Sequence, residues 1–405
     1  MAEPGIKLNL STSARRTALL GAMFLMATSA IGPGFITQTT VFTAQIGAAF
    51  AFAILASILI DIAVQMNVWR VIGVSGLRAQ ELGNKVLPGV GWLLSGLVFL
   101  GGVVFNIGNI AGTGLGANAM MGVDPKVGGA VSAIVAILVF LSKKAGMALD
   151  RIVVLLGAVM ILLMIYVAIV AAPPLGEALK NTILPEKVDF LIITTLVGGT
   201  VGGYITYAGA HRMLDSGATG IRHVKEITRS SILGILTTGL MRVLLFLAIL
   251  GVVAGGTVLT SNNMAAEAFG AAAGEIGLRM FGVVLWAAAI TSVIGAAFTS
   301  VSFITSSRTP ERKRNLITVA FIAGCAIAYV FLGQAPQQLL IFAGAFNGLI
   351  LPVGFALLLW VAWRRRDLMQ GYAYPKWLLL IGTAAWILTV FLGWTSIMGL
   401  AKLWA

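Results

Sequence analysis

The sequence predicts an all-α membrane protein of about eleven spanning helices, arranged as an inverted 5+5 repeat with broken helices 1 and 6 and one extra helix. Three observations predict it. The 405 residues are 59% hydrophobic and 10% charged, whereas a soluble domain carries about 25% charged residues. Apolar runs of bilayer-crossing length follow one another along nearly the whole chain, separated by short connectors that hold most of the lysine and arginine. Two of these runs, at matching places in the two halves, are interrupted by glycine: Ile31-Gly32-Pro33-Gly34-Phe35 and Val197-Gly198-Gly199-Thr200-Val201-Gly202-Gly203-Tyr204.

Taken in order, residues 1–16 are polar and basic and read as a cytoplasmic segment, and residues 17–405 read as a single transmembrane domain. Within it, residues 17–172 are the first repeat, 189–362 the second and 376–399 the extra helix. Spans fall near 17–46, 48–69, 91–119, 127–142, 150–172, 189–211, 230–255, 277–304, 315–332, 336–362 and 376–399. Arg15 and Arg16 precede an apolar run with no small-residue cleavage site, so that run is read as a mature span rather than a signal peptide.

The basic residues set the orientation. With the N-terminus in the cytoplasm, the outer connectors hold only Lys126, Lys180, Lys187, Arg279 and Lys402; all other basic residues except Arg242 fall on the inner side. This positive-inside pattern accounts for the net charge of +13 without a nucleic-acid partner. The expected location is the cell's inner (plasma) membrane, multi-pass, with the C-terminus outside.

The interruptions carry the functional signal. Proline has no N–H for the helical ladder, and glycine costs about 1 kcal/mol of helix propensity. Lipid supplies no substitute partners, so such breaks survive only against protein or a watery cavity. Paired breaks in two halves mark a transporter's binding site near the midplane. The candidate substrate-binding residues are Gly32, Pro33, Gly34, Phe35, Thr37, Gln38, Gly199, Gly202, Gly203 and Tyr204. A half-helix N-terminus near Phe35 carries about half a positive charge and suits an anionic group. The threonines that follow could bond a ligand or simply their own backbone.

Arg242 lies deep in the seventh span and Asp61 in the second. An intramembrane charge is expensive and faces the bundle interior with a partner or a task. The two are natural partners as a structural pair, and the competing reading gives Arg242 an anionic substrate. Cys325 stands alone in an apolar run, which excludes an intrachain disulfide and reads as packing. The glycine-rich second break lacks the Lys-Ser/Thr of a phosphate loop, and no hydrolase-like nucleophile and base pairing stands out. The chain is not read as an enzyme, and no cofactor is expected.

The chain resembles the Nramp family of proton-coupled divalent-metal transporters, which share the leucine-transporter fold. Gly32-Pro33-Gly34-Phe35 stands where that family has Asp-Pro-Gly-Asn, and Gly199-Thr200-Val201-Gly202-Gly203-Tyr204 where it has Ala-Thr-Val-Met-Pro-His. Supporting stretches are Gly76 to Leu82, Gly116 to Gly122 and Leu351-Pro352. The family's metal-holding side chains correspond to Gly32, Phe35 and Gly202, its proton-linked histidine to Tyr204, and the acidic pair of its third span to Asn106 and Asn109. Glycine and phenylalanine supply no oxygen, nitrogen or sulfur ligand for a dication, so no metal site is expected. In the wider fold a sodium ion often lies beside a hydroxyl pair of the eighth span, here Thr291 and Ser292; such hydroxyls also commonly bond their own helix. A coupling proton would use Asp61.

The expectation is therefore a secondary transporter, or symporter, working by alternating access. It would move a small anionic or zwitterionic organic solute with a proton or sodium ion. The alternative is a divalent-cation transporter with an altered site, for manganese, iron or hydrated magnesium, and a third class is a membrane receptor or scaffold without transport.

Overall fold

In the computed structural model, which describes residues 31–402 apart from 216, 218 and 306–308, the first helix, α1 (Pro33–Ile46), opens on a proline. Proline at the first helical position has no N–H to leave unpaired, and its φ is already helical. The expected cytoplasmic segment and the first half of the first span, up to residue 30, lie outside the described residues. Gly47, with a φ of 54°, ends α1 in a backbone conformation that side chains resist. A short turn then leads into α2 (Phe50–Ser75).

The remaining elements are α3 (Ala79–Val86), α4 (Val90–Met121), α5 (Pro125–Leu141), α6 (Lys143–Ala171), α7 (Leu175–Ile183), α8 (Phe190–Thr200), α9 (Ile205–Asp215), α10 (Val224–Ala254), α11 (Met264–Ile304), α12 (Glu311–Leu332), α13 (Pro336–Arg364) and α14 (Lys376–Lys402). Their ends follow local chemistry. The carboxylates of Asp124 and Asp189 accept from the first backbone N–H groups of α5 and α8, and Glu81 accepts from the Arg78 N–H at 2.8 Å to start α3.

Among the described residues, eight helical stretches are long and apolar enough to cross a membrane, and the bent pair α6–α7, turned by 108°, makes a ninth. α1 and α2 form a single stretch in that count, and α5, at 17 residues, falls just short of it. Separating the first pair and adding α5 recovers the expected eleven. Among the described residues there is no strand. Boundaries differ where helices outrun the bilayer: α2 continues to Ser75, α10 begins at Val224, and α11 extends back through a kink at Gly274 to Met264.

Long-range hydrogen bonds gather the connectors into two groups. At one end Arg365 donates to the Lys85 carbonyl, Gly220 to the Gly73 carbonyl and Arg70 to Thr228. At the other, Asn263 donates to the Leu115 carbonyl, Arg279 to the Met120 carbonyl and Tyr329 to the Pro125 carbonyl. The charge pattern assigned these connectors to opposite sides.

Candidate functional site

The start of α1 lies inside the bundle. Gly32 precedes it in extended backbone and, being glycine, has no side chain with which to cap the helix's first N–H groups. Thr39, Thr40 and Thr43 donate to the carbonyls of Phe35, Ile36 and Thr39 at 2.6–3.0 Å. Their hydroxyls serve their own helix. Gln38, fully buried, donates from Nε2 to the Leu340 carbonyl at 3.2 Å while its Oε1 has no partner. That oxygen abuts Gly199, where a Cβ would stand 2.8 Å away, so Gln38 bridges the two breaks.

The second break runs from the end of α8 at Thr200 to the start of α9 at Ile205. Its glycines are packing residues. A Cβ on Gly198 would come within 2.0 Å of the Gly344 carbonyl, and one on Gly202 within 2.8 Å of the Asn347 carbonyl. Gly203 has a φ of 52°, and a Cβ there would overlap the Asn347 amide. α8 and the break are therefore pressed backbone to backbone against α13.

Two polar regions flank the breaks. In the charged one, the Arg242 guanidinium of α10 lies over the Phe35 ring, 4.5 Å from its centroid, and donates from Nη2 to Thr200 Oγ1 at 3.4 Å. Its Nη1 has no partner among the described residues. Asp61 of α2, 2% exposed, lies beside Thr200 within the electrostatic reach of Arg242, and its Oδ1 has no hydrogen-bond partner among the described residues. The expected pair does face each other, but it makes no direct ion pair. Thr200, whose hydroxyl donates to the Leu196 carbonyl at 2.9 Å and accepts from Arg242, lies beside both, and Arg242 also reaches the first break.

In the neutral region, Asn106 and Asn109 of α4 are fully buried and all their amide atoms lack partners. The Tyr204 ring sits edge-on to Phe105 at 5.4 Å. Its hydroxyl lies beside Asn109 without closing a hydrogen bond of good geometry. Buried polar atoms in native proteins are nearly always satisfied, so this concentration marks a place for water or a ligand.

The other expected residues are engaged locally. Thr291 and Ser292 donate to the Ala288 carbonyl at 2.9 Å, so the sodium-site hydroxyls are engaged with their own helix. Below Tyr204 on α9, Tyr207 and His211 pack on Phe303 with ring centroids at 5.4 and 4.9 Å. Beyond them a cavity of about 410 Å³, lined partly by Arg78, Trp92 and Phe303, opens at the basic end of the bundle. Among the described residues no group of three histidine, cysteine, aspartate or glutamate side chains is placed to hold a metal ion. Sequence reading did not single out Thr200, the hinge of the charged region, although it lies within the quoted break.

Comparison with known proteins agrees with this architecture. The family model described as natural resistance-associated macrophage protein-like (Nramp) matches residues 23–399. The uncharacterized membrane protein YcsG of Bacillus subtilis (strain 168) is 50% identical over 389 residues, covering 96% of each chain. A membrane protein of Haemophilus influenzae is 49% identical over 389 residues, covering 96% of this chain and 98% of that one. Among solved structures, a mutant of the Eremococcus coleocola manganese transporter superposes with a TM-score of 0.75 at 18% identity, covering 98% of this chain and 90% of that chain. MhsT in complex with L-phenylalanine superposes with a TM-score of 0.64 at 17% identity, covering 95% and 97%. With a family match spanning both breaks and the same fold in both structural neighbours, this chain belongs to the Nramp family.

Proposed function

We propose that this membrane transporter carries a small anionic or zwitterionic organic solute by alternating access, its carboxylate held by Arg242 beside the α1 N-terminus. The observation behind the proposal is the position of Arg242, a buried cation that touches both breaks and keeps Nη1 free. A guanidinium pairs with a carboxylate in two parallel hydrogen bonds, and the helix N-terminus adds partial positive charge. The unpartnered amides of Asn106 and Asn109 and the Tyr204 hydroxyl would take the neutral polar groups of the solute. A dication in the same place would meet a cation at close range, with Asp61 the acid beside that cation among the described residues. At 4 Å and an effective dielectric constant of 20, each pair of unit charges interacts by about 4 kcal/mol.

A divalent cation is the second reading, and the comparisons favour it: the family is Nramp and its solved neighbour is a manganese transporter. Its ligands would be Asp61, Asn106, Asn109, Tyr204 and backbone carbonyls of the breaks. In either case Asp61 is the proposed carrier if the coupling ion is a proton, while sodium would use the hydroxyl oxygens of Thr291 and Ser292, whose lone pairs stay free when their hydrogens go to the Ala288 carbonyl. The basic connectors support placing the N-terminus in the cytoplasm and the C-terminus outside, in the plasma membrane.

The test is a thermal-shift screen of carboxylates, amino acids, manganese and magnesium on the purified protein, followed by uptake into proteoliposomes under proton or sodium gradients. A ligand of the folded state raises the melting temperature. Stabilisation and uptake of a carboxylate, both lost in Arg242→Gln, are expected. Saturable manganese or magnesium binding without any carboxylate response would establish the second reading, and no accumulation of any solute would leave a receptor or scaffold.

A further inference from the structure

Away from both breaks, at the basic end of the bundle, a cavity of about 450 Å³ opens between α2 and α10. Arg70 of α2 lines one side. The other is the first turns of α10, with Lys225, Thr228 and Arg229 near the helix start and Ile232 and Leu233 farther along. Among the described residues, no acidic side chain lines the cavity. Glu226, the acid of that first turn, is held by His223 at 3.2 Å.

Arg70 is 5% exposed, and its partners are neutral: Nη2 donates to Thr228 Oγ1 at 2.5 Å and Nη1 to the Tyr372 hydroxyl at 3.5 Å. Its Nε has no partner among the described residues. Lys225 and Arg229 are exposed. Three cations thus converge on one cavity, and among the described residues the buried one makes no ion pair. A buried cation is costly until an anion joins it.

The apolar surface indicates what kind of anion fits. From the cavity, Leu233, Leu236, Leu240 and Val243 follow α10 at spacings of three and four residues, and all are exposed, at 38%, 47%, 61% and 36%. On a spanning helix such a stripe faces hydrocarbon. A soluble anion would use the cations and leave the stripe unused, whereas a lipid uses both. We propose that this cavity binds the phosphate headgroup of an anionic phospholipid, with an acyl chain lying along Leu233, Leu236 and Leu240. The bound lipid clamps α2 to α10 at the level of Arg70. This site is independent of which solute the transporter carries.

The test uses the delipidated full chain in detergent, with phosphatidylglycerol as probe, phosphatidylcholine as neutral control and inorganic phosphate as soluble control. Lipid retention by native mass spectrometry and the melting temperature are both read. Phosphatidylglycerol is expected to be retained and to raise the melting temperature, with phosphatidylcholine weaker and inorganic phosphate without effect. In the double variant Lys225→Gln, Arg229→Gln, whose sites are exposed and compatible with folding, phosphatidylglycerol binding is expected to weaken about tenfold or more. Equal retention of the two lipids, or a double variant that binds phosphatidylglycerol as tightly as the parent, overturns the proposal. Stabilisation by inorganic phosphate that phosphatidylglycerol competes away also overturns it, in favour of a soluble phosphate site.

Discussion

The two breaks look alike in sequence, glycine-rich interruptions of apolar spans, and their glycines do different work. At the first, the nearest atoms to a Cβ on Gly34 would lie at 3.6–3.9 Å, ordinary contact distance. At the second, Gly198, Gly202 and Gly203 are pressed against α13, with a Cβ on Gly198 only 2.0 Å from the Gly344 carbonyl. At the first break a methyl group on Gly34 would meet only ordinary contacts among the described residues, although Pro33 beside it packs tightly on Gly112. The other uses its glycines to let two backbones touch, and what it presents to the site is Thr200 and Tyr204.

The largest expected effect follows from that contrast. Gly198→Ala forces a methyl group into backbone atoms of Gly344 and Gly348 that cannot rotate away, a cost of about 3 kcal/mol or more. Gly203→Ala adds the penalty of a left-handed residue, about 1–2 kcal/mol, to a clash with Asn347. Both variants should lose most of their folded yield and melt well below the parent in detergent. Gly34→Ala should melt within about 0.5 kcal/mol of it. Equal destabilisation at Gly34 and Gly198 would break the comparison.

Next in size is the charged region that joins the breaks. Arg242→Met removes a buried cation and strands Asp61, at a cost of about 3–5 kcal/mol. Asp61→Asn in the same chain should recover most of that stability, since the pair is then neutral. Recovery should not extend to transport of a carboxylate, because Nη1 and its charge are gone. Proteoliposome uptake beside the melting curves separates these outcomes. Manganese uptake that improves in the double variant would show that Arg242 opposes the substrate rather than holding it.

How much of this was legible in the sequence differs between the fold and the site. Apolar run length and the sidedness of lysine and arginine suffice for the spans, because a bilayer imposes a one-dimensional rule on each helix. The resemblance to the Nramp family rested on stretches such as Gly32 to Phe35 and Leu351-Pro352, and the family match supports it. The glycines at 198 and 203 were legible as a break but not as a seam, because their partners Gly344 and Asn347 lie well over a hundred residues away. Which face of α8 meets α13 is decided by packing that no local pattern records. For the same reason Asp61 and Arg242 were legible as partners while Thr200, which lies beside both, was not. Thr291 and Ser292 had two readings, and the back-bonding to the Ala288 carbonyl became visible only in three dimensions, where it leaves their oxygen lone pairs free.

The smallest expected effect probes what the second break presents to the site. Tyr204 is fully buried with its ring against Phe105, while its hydroxyl has no hydrogen-bond partner. Tyr204→Phe keeps the ring packing and removes a polar atom that contributes nothing to the empty protein, so the melting temperature should hold or rise slightly. If that hydroxyl bonds the solute, its loss costs about 1 kcal/mol of binding, a roughly fivefold rise in KM with little change in maximal rate. Tyr207→Phe, whose ring packs on Phe303 away from the breaks, should leave KM unchanged. A larger KM effect at Tyr207 than at Tyr204 would move the substrate from the break toward the basic end of the bundle, and the second break would then be a seam alone.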